Sequence, residues 1–157
     1  MPCLRVLAER CNSALLGRQK GGKTFIHNDF YPGNLILGKN IAYGIDFDKA
    51  GLGSPYFDLA LLWSAFMLPR ALWSAPFSVR QREELRSYFL KRYCSLRGWS
   101  YNETRKKLTP FLQHIFLERA YDFAVMALKG WKAMNPRERK ARERQILTLL
   151  RAAAKYL

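Results

Sequence analysis

Acidic residues are scarce in this chain of 157: 12 Asp and Glu stand against 27 Lys and Arg, a formal charge of +15. So unbalanced a surface attracts anions, whether nucleotides, phosphorylated substrates, nucleic acid or an acidic membrane, and does not choose among them. The scarcity is informative in where it breaks. Between Glu9 and Glu83 the only acids are Asp29, Asp46, Asp48 and Asp58. Carboxylates that few and that clustered point to a site that needs them.

Cysteine is nearly as rare. Cys3, Cys11 and Cys94 lack metal-ligand spacing and are odd in number. That argues against a disulfide framework and for reduced thiols packed as small hydrophobes. Long apolar runs are missing as well. Arg5, Glu9 and Arg10 interrupt the N-terminal segment, unlike a signal peptide. The most apolar stretch, Leu59 to Pro69, falls well short of the roughly 20 residues a membrane span needs. A soluble cytoplasmic protein with no membrane partner is expected. There is no internal repeat, low-complexity tract or linker.

What is present suits one packed domain over residues 1–157: 49% of residues are apolar and 14% aromatic. Leu4, Leu7, Cys11 and Leu15 predict a helix over 3–16, ended by Gly17. A basic loop from Arg18 to Lys23 and a β-prone Thr24-Phe25-Ile26 follow. Residues 27–33 are polar and turn-rich. Leu35–Leu37, the turn Gly38-Lys39-Asn40, and Ile41–Phe47 read as a β-hairpin. Residues 49–57, with Gly51, Gly53 and Pro55, read as loop.

From Asp58 onward the pattern is helical. A first helix runs over about 58–68 and stops at Pro69. Ser78 opens a second as N-cap, with Gln81 at the capping-box position and Gly98 at its end. A long apolar helix covers about 102–129, with Pro110 as a site for a bend. Asn135-Pro136-Arg137-Glu138 starts the last, with an N-cap, a proline at N1 and an acid at N3. The predicted fold is mainly α with a small β-hairpin.

The chemistry centres on His27-Asn28-Asp29-Phe30-Tyr31-Pro32-Gly33-Asn34, with Asp46 twelve residues after Asn34. Phosphoryl transfer to a hydroxyl needs a carboxylate to orient the hydroxyl and accept its proton, and oxygen ligands for Mg²⁺ on the nucleotide phosphates. Asp29 suits the first task. Asn34 and Asp46 suit the second, because Mg²⁺ is a hard cation and the phosphates supply much of the negative charge.

H-x-D-x-x-x-x-N, then a hairpin, then Ile45-Asp46-Phe47-Asp48, resembles the aminoglycoside phosphotransferase and choline kinase branch of the protein-kinase-like superfamily. The resemblance implies the following roles. Asp29 is the catalytic aspartate, Asn34 and Asp46 are the metal ligands, and His27 is a structural histidine beneath the loop. Asp58, in Ser54-Pro55-Tyr56-Phe57-Asp58, braces that loop, and Asp48 is a supporting acid or a solvated strand end. Residues 27–34 are then the catalytic loop, 35–48 the metal-site hairpin and 58–157 the helical bundle. The implied activity is transfer of phosphate from ATP, with Mg²⁺, to a hydroxyl of a small-molecule acceptor.

Two departures qualify it. Asn28 replaces the arginine of the protein-kinase H-R-D, which favours the small-molecule branch. Only 26 residues precede His27, so the resemblance covers a C-terminal lobe alone. The N-terminal ATP-clamping lobe is absent from this reading, to be supplied by a further segment or a partner chain.

Other readings stay open. A lobe without its clamp could be an inactive binding module. Gly17 to Thr24 matches the P-loop pattern G-x-x-x-x-G-K-[ST], though the mechanism needs a strand before it and a helix after. Asp58 could simply cap the first helix. The cluster Arg137, Arg139, Lys140, Arg142 and Arg144 reads as a solvated helix face, and nucleic acid is not expected as a partner. Trp63, Trp73, Trp99 and Trp131 read as core rather than base-stacking residues.

Overall fold

The structure is a computed structural model and describes residues 24–67, 77–130 and 132–154. The helix expected over 3–16, the P-loop-like residues before Thr24, Cys3, Cys11, Pro69, Trp73 and Trp131 lie outside them. Among the described residues four short strands precede four helices. The strands are β1 (Thr24–Ile26), β2 (Leu35–Leu37), β3 (Ala42–Gly44) and β4 (Gly51–Gly53). The helices are α1 (Pro55–Met67), α2 (Val79–Arg97), α3 (Tyr101–Gly130) and α4 (Pro136–Ala154). The fold is mainly α with small antiparallel strand pairs.

The hairpin forms as expected, with β2 antiparallel to β3 in the register Leu35 to Gly44 and Leu37 to Ala42. Its second arm is shorter than the pattern predicts, ending at Gly44, because Asp46 adopts a left-handed φ of 63° that no strand can carry. The loop expected over 49–57 is corrected. Gly51–Gly53 is a strand, antiparallel to β1 with Thr24 opposite Gly53 and Ile26 opposite Gly51. A side chain at Gly53 would drive into Ile26, so glycine here serves close approach rather than a turn. Helix α1 also starts earlier than expected, with Pro55 at its first position, where a missing N–H costs nothing.

Helix α1 is apolar almost all round. Phe57, Leu59, Ala60, Leu61, Leu62, Trp63 and Ala65 are all buried, as a central helix requires. It packs on α2 and α3, and α3 packs along α4. Leu90 of α2, Leu108, Ile115 and Phe116 of α3, and Leu149 of α4 complete one core with it. Cys94 is a free, buried thiol in that core.

The helix boundaries follow the capping chemistry. Ser78 accepts from the Gln81 N–H and Gln81 accepts from the Ser78 N–H, closing a capping box. Gly98 ends α2 in the left-handed region, φ 65°. Asn135 and Glu138 exchange the same reciprocal bonds at the start of α4. Of the basic residues on α4, Arg142 lies over the Phe123 ring and Arg139 donates to the Met134 carbonyl. Trp63 is buried, and Trp99 packs against Tyr56 at 5.1 Å between ring centroids. No helix among the described residues is long and apolar enough to cross a membrane.

Candidate active site

A loop between two short strands has few local bonds with which to hold a shape, so its order must come from elsewhere. Here it comes from Asp58, in the first turn of α1. The His27 N–H donates to Asp58 Oδ2 at 2.7 Å and the Asn28 N–H to Oδ1 at 2.8 Å. Both carboxylate oxygens are thus spent on the loop backbone rather than on capping α1. Burial pushes the Asp58 carboxyl above its ordinary value of 3.8, and the bonds from His27 and Asn28 oppose that rise.

His27 is buried beneath the loop. Its Nε2 donates to the Ile45 carbonyl at 2.9 Å, and its ring lies 4.5 Å from that of Phe47 and 5.8 Å from that of Phe30, between centroids. A carbonyl can only accept, so Nε2 carries the hydrogen. Gly44 is the close neighbour that makes room: a Cβ there would press on Phe47 at 3.3 Å.

Asp29, Asn34 and the Asp46 segment are laced together. Pro32–Asn34 make one turn of 3₁₀ helix, which turns the buried Asn34 side chain back to donate to the Asp29 carbonyl at 3.0 Å. On its other side the Asn34 carbonyl accepts from the Ile45 N–H at 3.0 Å. Asn34 therefore links the loop carrying Asp29 to the strand end carrying Asp46. Asp46 and Asp48 stand exposed beyond it. Among the described residues no three His, Cys, Asp or Glu side chains converge as a metal cluster. The oxygens that could serve a cation here are Asn34 Oδ1 and the Asp46 carboxylate. Two oxygens suit a hard cation that takes its other ligands from phosphates and water.

Three further residues around Asp29 escape the motif. Lys49 Nζ lies 2.9 Å from Asp29 Oδ2 in an ion pair. The Asp29 hydrogen bond and charge, with a smaller contribution from Asp46, raise the Lys49 ammonium above its ordinary 10.5. Asn28 also has a left-handed φ, 63°, and its Nδ2 donates to the Lys49 carbonyl at 3.1 Å. An arginine has neither asparagine's tolerance for that backbone nor its short amide reach, which accounts for the departure from H-R-D. From α3, Arg119 comes within electrostatic range of Asp29 and Tyr31. Burial lowers its guanidinium, and Glu118, Asp29 and Tyr31 oppose that. Isolated left-handed residues such as Asn28 and Asp46 are invisible to hydrophobic periodicity, and Lys49 carries no pattern that separates it from the chain's many other cations.

The P-loop reading meets an obstacle at Thr24, which opens strand β1 where that mechanism requires a helix.

A helical lobe carrying a braced H-x-D loop, an asparagine and an aspartate just past a hairpin has the fold of a kinase-like C-terminal lobe. The model of the phosphotransferase enzyme family (APH) matches residues 3–105, more than half of the chain, and the protein belongs to that family. Its function is accordingly of the phosphotransferase type. No curated protein and no solved structure matches the chain.

Proposed function

We propose that this protein transfers the γ-phosphoryl group of ATP to a hydroxyl of a small molecule. The observation that carries the reading is the double lacing of Asn34, to the Asp29 carbonyl and to the Ile45 N–H, which joins the base-bearing loop to the Asp46 turn.

Asp29 is the general base. As the acceptor oxygen forms its bond to the γ-phosphorus, the bond from that phosphorus to the ADP oxygen breaks, and the hydroxyl proton passes to the Asp29 carboxylate. Asn34 Oδ1 and Asp46 are the residues that would hold Mg²⁺, which would offset the negative charge of the phosphates. His27 and Asp58 contribute position: they fix the loop so that Asp29 need not reorganise during transfer. The surplus of cations over the chain draws the nucleotide in. We read the protein as cytoplasmic, the compartment that supplies Mg-ATP and keeps Cys94 reduced.

Calorimetric titration with Mg-ATP tests the assignment. Asp46→Ala is expected to abolish Mg²⁺-dependent nucleotide binding, whereas Asp29→Asn keeps binding and loses turnover. Unchanged Mg²⁺-dependent binding in Asp46→Ala would sink the metal assignment, and undiminished turnover in Asp29→Asn would sink the base.

A further inference from the structure

We propose that Lys49 is a phosphate-contacting residue of this site, a cation that rests on Asp29 and moves onto the transferred phosphoryl group when nucleotide binds. The inference rests on the phosphotransfer reading above and adds a residue to it.

The geometry sets the problem first. Lys49 Nζ occupies Asp29 Oδ2 at 2.9 Å. An oxygen that already holds an ammonium is poorly placed to receive a hydroxyl proton, so a working base requires that Lys49 leave or share it. Leaving is easy, because the Lys49 side chain is 65% exposed and an exposed ion pair of this kind is weak. The root of the arm is nonetheless fixed: the Lys49 carbonyl accepts from Asn28 Nδ2 at 3.1 Å, and the Ala50 N–H donates to the Phe47 carbonyl at 2.9 Å. A four-carbon arm on a fixed root keeps its ammonium within an arm's length of Asp29.

Charge then decides where it goes. Besides Asp29, the carboxylate whose field reaches Lys49 is Asp46. Once Asp46 is committed to a divalent cation its pull on the ammonium is cancelled. The remaining negative charge in reach is the triphosphate itself. An ammonium donates three hydrogens and suits the non-bridging oxygens of a phosphoryl group, where charge is spread during transfer. Lys49 keeps its proton throughout; the proton from the acceptor hydroxyl still passes to Asp29, now freed of its partner.

Mg-ATP affinity and slow ATP hydrolysis, with water as acceptor, are measured on the whole chain for wild type, Lys49→Ala and Lys49→Arg. The expected result is Mg-ATP binding at least ~10-fold weaker in Lys49→Ala, the worth of one hydrogen bond to a charged group. Hydrolysis should fall further, by roughly 10²-fold, and Lys49→Arg should recover most of both. The melting temperature without nucleotide should barely change, since a structural role would instead lower it in both variants. Binding in Lys49→Ala equal to or tighter than wild type overturns the proposal, the tighter case meaning that Lys49 merely plugs Asp29. An arginine variant no better than alanine also overturns it. If wild type binds no Mg-ATP, Lys49 and the phosphotransfer reading fall together; if wild type binds and Lys49→Ala matches it, Lys49 alone falls.

Discussion

Asp58 holds the backbone of His27, 31 residues earlier in the chain, through a 2.7 Å bond from the His27 N–H to its Oδ2. The neighbouring N–H of Asn28 takes the other oxygen. One side chain in the first turn of α1 thereby satisfies two successive donors that have no strand partner of their own.

Removing it should be expensive. Asp58→Ala leaves both N–H groups without their acceptor and is expected to destabilise the protein by roughly 2–4 kcal/mol. Asp58→Asn keeps one acceptor oxygen and should lose about half as much. Urea unfolding of the three proteins checks the order; an alanine variant as stable as wild type would show that the brace carries no energy.

The same carboxyl gives a pH dependence. Its folded value is raised above 3.8, mainly by burial, so the folded protein binds the proton more readily than the unfolded chain does. Its contribution to stability is therefore fully present below 3.8 and is lost as pH rises through the raised value. Wild type should gain stability relative to Asp58→Asn as pH falls through that window. A difference that is flat, or that shrinks toward acid, contradicts the assignment.

Asn28 tests the left-handed backbone. Asn28→Ala loses the bond to the Lys49 carbonyl and keeps a β-carbon without the side-chain amide that lets asparagine tolerate this left-handed conformation. Asn28→Gly loses only the bond. Thermal melts should rank asparagine above glycine and glycine above alanine. Alanine ranking above glycine would mean that φ is not under strain there.

At Asp46 backbone and carboxylate can be separated in the same way. Asp46→Gly accepts φ 63° without strain, so its stability should match or slightly exceed wild type, while Mg²⁺-dependent nucleotide binding is lost. Calorimetry paired with a melt reads both. Retained binding would place the metal on other ligands.

How much of this was legible in the sequence depends on how local each feature is. The caps at Ser78 and Asn135 were readable because donor and acceptor lie three residues apart and the side-chain chemistry is specific. The β2–β3 hairpin was readable from its turn. Strand β4 was not: Gly51-Leu52-Gly53 has no alternation and exposes Leu52, and it is a strand only because Ile26, distant in sequence, lies across it. Among the site residues, Asp29, Asn34 and Asp46 were marked by spacing and by the scarcity of acids. Lys49 was not, because one lysine among so many cations has no distinguishing pattern, and only the three-dimensional path sets it on Asp29. The α1 start could have been read three residues earlier, from the serine and proline at 54 and 55.

The position of Asp58 ties the loop to the stability of the whole lobe. The helix that carries this carboxylate is also the central member of the core, so the loop and the bundle gain or lose order together. Any molecule that tightens the loop should then raise the unfolding temperature of the bundle, in proportion to the logarithm of its concentration over its dissociation constant. A simple melting curve thus becomes a screen: hydroxyl compounds can be ranked as acceptors by the degrees they add, before any turnover is measured.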